Sequence, residues 1–352
     1  MKKVLVTGAT GRIGANLIKA LTGKGYDLIA FAMKTDPQLV KLNNYDCEIA
    51  YGDLLDEESI IHAIHGVDIV LHLGALMVQP ERMRESTYWN INVLGTFMFV
   101  RAAANAGVKR FIYGSSDAIY SPLNYKYLPI DEDHPKNPIN TYSLTKLVGE
   151  EILYEASYET GMPVTALRFG SVMAGDEILN NFSVQKAVSI LTNFATKPGT
   201  HFYREDIKKP WEPLSEFLSE PKKMIIPRAP DFRPWRSHFT DVRDVVAGVI
   251  IAMESDRAVG ESFNILGPYA SSWEQSVKYI AEKTGSDYYE CEVHNYFEFE
   301  LSIEKARHML GYSPQYDIYK MIDTALDIRN GKSSDLILPM LGNNFEAYDP
   351  YK

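Results

Sequence analysis

Short apolar runs rich in β-branched residues alternate with longer stretches whose apolar positions recur every three or four residues. The runs lie at Val4–Thr7, Tyr26–Met33, Cys47–Tyr51, Ile69–Leu73, Arg110–Ser115 and Val164–Arg168. The helical patterns lie at Ile13–Leu21, Glu57–Ile64, Ser86–Ala106 and Thr141–Thr160. Alternation of this kind predicts βαβ units, because period-2 or continuous apolar runs suit strands and period 3.6 suits helices. Strands apolar at nearly every position predict a parallel sheet covered on both faces. The rhythm breaks after Gly170. A helix over Phe182–Leu191 precedes a stretch, Lys197–Trp235, rich in proline, aromatics and charge. Such a stretch is too long for a plain loop and predicts a small insert or a lid. Regular alternation resumes at Phe239, with helices over Val242–Met253 and Trp273–Lys283, and no period is visible from Gly331 to Lys352.

Composition narrows the partners. The 352 residues are 45% hydrophobic and 23% charged, with a formal net charge of -10. An acidic chain lacks the cationic surface that phosphate backbones need, so nucleic acid is excluded as a partner. Cys47 and Cys291 are the two cysteines and stand far apart. They form no metal-binding spacing or disulfide framework, which fits a reducing cytoplasm and predicts no metal. Gly8, Gly11 and Gly14 interrupt the apolar start too early for a signal peptide, and no membrane-length apolar stretch follows.

Thr7-Gly8-Ala9-Thr10-Gly11-Arg12-Ile13-Gly14 joins the first strand to the first helix. Glycine there permits a tight turn and close approach of backbone to a pyrophosphate, and the helix N-terminus supplies free N–H groups. Gly8, Thr10, Gly11, Arg12 and Ile13 are therefore candidate cofactor contacts. The end of the second strand carries Ala32, Met33 and Lys34, with no acid before Asp36. Arg12 and Lys34 could meet a 2′-phosphate, which favours NADP over NAD.

Tyr142 and Lys146 lie four apart on one helix face. A phenol near its free pKa of about 10 is a poor base at neutrality. An adjacent ammonium favours the phenolate and lowers that value. Ser116, at the end of the fifth strand, could hydrogen-bond a substrate oxygen, with Ser115 as the less favoured choice.

The GxxGxxG spacing, together with Gly52-Asp53-Leu54, Leu71-His72-Leu73-Gly74-Ala75, Asn92-Val93-Leu94-Gly95-Thr96, Ser115-Ser116 and Tyr142-x-x-x-Lys146, resembles the extended short-chain dehydrogenase/reductases of the NAD-dependent epimerase/dehydratase family, UDP-glucose 4-epimerase-like enzymes among them. The resemblance implies an α/β fold, a Rossmann doubly wound parallel sheet with a smaller, mainly C-terminal α/β substrate-binding lobe. It gives a cofactor domain over 1–170 and about 236–265, and a substrate lobe over 171–235 and 266–330. Within that lobe 197–235 is an atypical insert or lid, and 331–352 is a tail. It assigns Ser116, Tyr142 and Lys146 to catalysis. It adds Asp53, Leu54, Leu73, Gly74 and Asn92 to the cofactor contacts, alongside Tyr142 and Lys146 themselves.

On the substrate side the resemblance points to Ser116, Asp117, Asn181 and Arg236. Arg204, Arg228 and Arg233 are further candidates for an anionic ligand. Departures from the family pattern stand at Ala118, where dehydratases carry glutamate, and at Met77, Ser171 and the displaced Arg236. The implied activity is epimerisation of a sugar or sugar nucleotide through a transient ketone. The alternatives are a dehydrogenase or carbonyl reductase on a sugar-like or other hydroxyl substrate, and a nonenzymatic nucleotide-sensing protein. The implied partners are a small, sugar-like molecule and a second copy of the chain in a homodimer, with no membrane.

Overall fold

The computed structural model describes residues 1–77, 84–198 and 200–340. The expected tail therefore lies partly outside the described residues, at 341–352. Seven strands form one parallel sheet: β1 Lys2–Thr7, β2 Tyr26–Ala32, β3 Glu48–Tyr51, β4 Ile69–His72, β5 Arg110–Ser116, β6 Val164–Phe169 and, much later in the chain, β11 Ser262–Ile265. Their order is β11-β6-β5-β4-β1-β2-β3. Winding runs outward in both directions from the β1–β4 neighbours, whose register pairs Thr7 with His72. A crevice opens beyond the carboxyl ends of strands where the order reverses in this way, and ligands bind there.

The strands are apolar on both sides because both faces are covered. On one face lie α1 Arg12–Leu21 and α7 Val242–Glu254, which bury Leu17, Ile18, Val245 and Val249. On the other lie α2 Glu57–Ile64, the helical run α3 Glu85–Tyr88 to α4 Gly95–Asn105, and α5 Thr141–Thr160. They bury Ile60, Phe99, Val100 and Leu153. Between α3 and α4 the turn widens to a π-helix over Trp89–Leu94, a departure from the uninterrupted helix that periodicity predicts. Asn92 within it is buried, and its side-chain amide donates to Leu76 O and Thr145 Oγ1 while accepting from Leu76 N. A wide turn that turns one polar side chain inward is a common use of this geometry.

The second lobe gathers around its own apolar cluster. Its strands are β7 Ser171–Met173, β8 Met224–Arg228, β9 Arg236–Ser237, β10 Phe239–Asp241, β12 Ser271–Ser272, β13 Tyr288–Glu292 and β14 Glu298–Phe299. Its helices are α6 Val184–Phe194, α8 Trp273–Thr284 and α10 Ile318–Arg329, while α9 Glu304–Leu310 packs against β11. Phe202, Leu214, Ile225, Ile226 and Trp235 come from the 197–235 stretch and are all buried in this cluster. β8 pairs in parallel with β13, so much of that stretch is anchored in the lobe. Further on, the chain passes beside α1. Ile337 N donates to Asn16 Oδ1 and Ile337 O accepts from Asn16 Nδ2, both at 2.9 Å, while Leu336 is buried.

Candidate active site

The turn after β1 explains its three glycines differently. Gly8 has φ +63, and a Cβ there would lie 2.9 Å from Gly74 Cα. A Cβ on Gly14 would lie 2.2 Å from Gly8 O. Both are fixed by packing inside the protein. A Cβ on Gly11 would meet Gly8 O alone, at 3.1 Å, so this glycine keeps the outer side of the turn open. α1 starts at Gly11 with no side-chain cap and no acid in its first turn. The N–H groups of Arg12 and Ile13 therefore lack intrahelical acceptors, and the helix dipole is positive there. With Thr10 buried beside them and Leu73 and Gly74 across the crevice, the turn forms a cradle that fits a dinucleotide pyrophosphate.

Arg12 does not point where the sequence suggested. Its guanidinium grips Glu177 with two hydrogen bonds, Nε to Oε2 at 2.8 Å and Nη2 to Oε1. Bidentate pairing of this kind commits the side chain to its carboxylate rather than to a 2′-phosphate. Lys34 is exposed. Asp36 accepts from Thr10 Oγ1 at 2.6 Å, and Lys41 donates to Thr10 O at 3.1 Å. Asp36, Lys41 and Glu177 were not among the sequence candidates, and the edge of the turn carries two carboxylates alongside Arg12 and Lys41 where a purely cationic cluster was expected.

Asp53 accepts from Leu55 N at 2.9 Å and so shapes its own loop. Leu54 packs under α4, where a Cβ on Gly95 would lie 3.0 Å from Leu54 O. Asn92 spends its amide clamping the strand-four loop to α5, so it acts on the crevice by positioning Leu76 rather than by reaching into it.

β5 and α5 bring the serine, tyrosine and lysine together. The capping box of Asn140 and Ser143 starts α5 and fixes its first turn. The Ser116 and Tyr142 side chains hydrogen-bond each other. Ser116 Oγ also accepts from Ala118 N at 3.2 Å and lies 3.3 Å from Asp117 Oδ1. Lys146 is buried, its Nζ 4.2 Å from the centre of the Tyr113 ring. Burial pushes the Tyr142 phenol up to about 12, the Ser116 hydrogen bond opposing and the Asp117 charge reinforcing it. The shift is therefore upward, opposite to the lowering expected from the sequence, and desolvation is its largest cause. Burial likewise pushes Lys146 down to about 7, with the Glu150 charge opposing. Asp117 is pushed up to about 7 by burial, against hydrogen bonds from Ser116 and Ala118 N.

Ser115 and Ser116 separate cleanly. Ser115 Oγ donates to Glu150 Oε1 at 2.6 Å, away from Tyr142. Glu150 in turn receives Arg168 Nε at 3.0 Å and Nη2 at 2.9 Å. Arg168 Nη1 donates to Tyr120 OH at 2.5 Å. Glu150 is one turn beyond Lys146, so this buried network backs the helix face that carries the candidate catalytic pair.

Beside the trio a cleft of about 300 Å³ is lined by Asp117, Ala118 and Asn140 on one side and by Asn181, Lys186 and Asn193 on another. Asn181 is placed there as expected. Arg236 is not among the lining residues, and it lies 3.2 Å from Glu298 and 3.6 Å from Glu300. Arg204 pairs with Asp206, Arg228 with Glu274 and Glu290, and Arg233 with Asp231. The expected cationic site for a diphosphate is thus neutralised by the protein's own carboxylates. Among the described residues no group of His, Cys, Asp and Glu could hold a metal ion, and no helix is long and apolar enough to cross a membrane.

Comparison with known proteins agrees with this geometry. A family model described as NAD dependent epimerase/dehydratase family matches residues 4–265. Sterol demethylase protein B of Methylococcus capsulatus is 29% identical over 287 residues, covering 80% of this chain and 74% of that protein. UDP-glucose 4-epimerase of Lactobacillus helveticus is 33% identical over 174 residues, 48% of this chain, and the match spans about half, 52%, of that enzyme. A short-chain dehydrogenase/reductase superfamily protein from Agrobacterium tumefaciens, solved with bound NAD, superposes with a TM-score of 0.79 at 28% identity, covering 94% of this chain and 97% of that one.

Proposed function

The chain belongs to the NAD dependent epimerase/dehydratase family, and from that premise we propose that it inverts a hydroxyl-bearing carbon of a sugar-like substrate through a transient ketone. The observation that carries this reading is the meeting of Ser116 at the end of β5 with Tyr142 and Lys146 on one face of α5, next to the cleft that Asp117 and Ala118 line. Bound NAD would supply the hydride acceptor and a positive ring that favours the phenolate. Ser116 turns its single hydroxyl hydrogen from Asp117 to the reacting oxygen. Tyr142 takes that oxygen's proton and later returns it. Lys146, lowered to about 7 by burial, exchanges its proton near neutrality and offsets charge on the phenolate. Asp117 holds Ser116 and, without an acid at Ala118, does not form the acidic pair of a dehydratase.

Incubation with a sugar or sugar nucleotide and NAD is expected to yield the inverted epimer while the reduced-nicotinamide absorbance stays flat. Stoichiometric growth of that absorbance would replace this reading by the second, a dehydrogenase. The second is favoured by one observation, the internal pairing of the arginines that a sugar nucleotide would need.

We also propose NAD rather than NADP. Arg12 is held by Glu177, and Asp36 stands beside Thr10 where a 2′-phosphate would add negative charge. Fluorescence titration is expected to give at least about tenfold tighter binding of NAD than of NADP, roughly 1.4 kcal/mol. Equal affinities would refute it. Leu94, Phe97 and Leu144 are exposed along α3–α5, and supply an apolar face for a homodimer. Two free cysteines fit a cytoplasmic setting.

A further inference from the structure

α6 turns two different faces to its surroundings. Val184, Ala187 and Leu191 are buried in the second apolar cluster. Lys186, Ser189 and Asn193 follow one another at three- and four-residue spacing and line the cleft. Lys186 is the one Lys or Arg among the described residues lining it. No ion pair or side-chain hydrogen bond engages it among the described residues, unlike the arginines of the same lobe. The residue is exposed at the cleft wall, and the packing around it lowers its pKa from the usual lysine value. A lysine at a cleft wall with no carboxylate engaging it among the described residues is placed to pair with an anionic ligand.

The cleft, at about 300 Å³, sits at the small end of ligand pockets. A nucleoside diphosphate would bring at least two negative charges and a base, and this wall offers one cation. We propose that Lys186 recognises the anionic group of a compact polyol, so that the substrate is a monosaccharide-sized acid or monophosphate and not a sugar nucleotide. The proposal rests on the hydride-transfer reading above and selects the sugar branch of it. Asn181, Ser189 and Asn193 supply hydrogen bonds for the hydroxyls.

The test titrates four probes into the NADH-saturated enzyme: a hexuronate, a hexose 6-phosphate, the neutral hexose and a UDP-hexose. Wild type is expected to bind the hexuronate or the hexose phosphate at least tenfold more tightly than the neutral hexose. Lys186→Met is expected to erase that preference, and Lys186→Arg to keep most of it. Whichever anion wins identifies the group as carboxylate or phosphate. The proposal is overturned if the UDP-hexose or neutral hexose binds best, if neither anion binds, or if Lys186→Met leaves the preference intact. NADH binding is read in the same titrations. Its loss in wild type would sink the hydride-transfer reading as well, whereas intact NADH binding with no anion preference sinks the Lys186 proposal alone.

Discussion

Tyr142→Phe is expected to lower turnover by about 10²–10⁴-fold, the usual contribution of one positioned acid–base group, while NAD binding stays close to wild type. The substitution removes a single oxygen. The ring remains in its half-buried site on α5, and Ser116 keeps its bond from Ala118 N. Lys146 keeps its place over Tyr113. What disappears is the phenol oxygen that takes the proton from the reacting oxygen in the proposed mechanism. Single-turnover reduction of NAD, paired with a fluorescence titration of NADH, separates chemistry from binding. Activity above a tenth of wild type with normal binding would exclude Tyr142 as the proton acceptor.

The largest expected effect on stability comes from behind the site. Arg168→Leu should destabilise the protein by about 3–5 kcal/mol, the cost of leaving a buried charge without its partner. Glu150 is fully buried, and Arg168 gives it two hydrogen bonds. Burial alone would raise the Glu150 carboxyl, but the bonds and charge of Arg168, the Ser115 hydroxyl and the Lys136 charge outweigh it and hold the carboxyl below its usual value. A depressed carboxylate contributes stability above its unfolded pKa and loses it as pH falls through the folded value. The gap between wild type and Arg168→Leu should therefore be widest near neutrality and close as pH drops into the acid range. Urea unfolding at several pH values measures it. Glu150→Gln in the Arg168→Leu background should recover part of the loss by removing the stranded charge. A gap independent of pH, with no recovery, would assign the loss to packing alone.

Sequence and structure agree most closely where a feature is local. Strand positions, the glycine turn, the i, i+4 pair Tyr142 and Lys146, and Asn181 at the cleft were all readable from short windows. Several of the misses have one cause, distance along the chain. Arg12 and Glu177 are 165 residues apart, so the cation in the glycine turn looked free when it was committed elsewhere. Arg228 and Arg236 looked free because their carboxylates, Glu274 and Glu298 among them, lie on later elements, whereas Arg204 and Arg233 pair with Asp206 and Asp231 two residues away, which short-range reading could have found. The π turn at Asn92 depends on Leu76 and Thr145, which periodicity does not sense. One distinction was available and unused: successive strand residues face opposite sides, so adjacent Ser115 and Ser116 could not both reach Tyr142. Lys186 was hidden by its own helix, because a lysine on an amphipathic pattern looks like any solvated cation.

The contact between Asn16 and Ile337 closes a loop of 321 positions. The entropy lost in closing a loop grows only slowly with its length, so a strap from so far along the chain is feasible. It fastens the helix whose N-terminus forms the cofactor cradle. Without it the Asn16 amide would keep Arg12 O alone as its protein partner among the described residues.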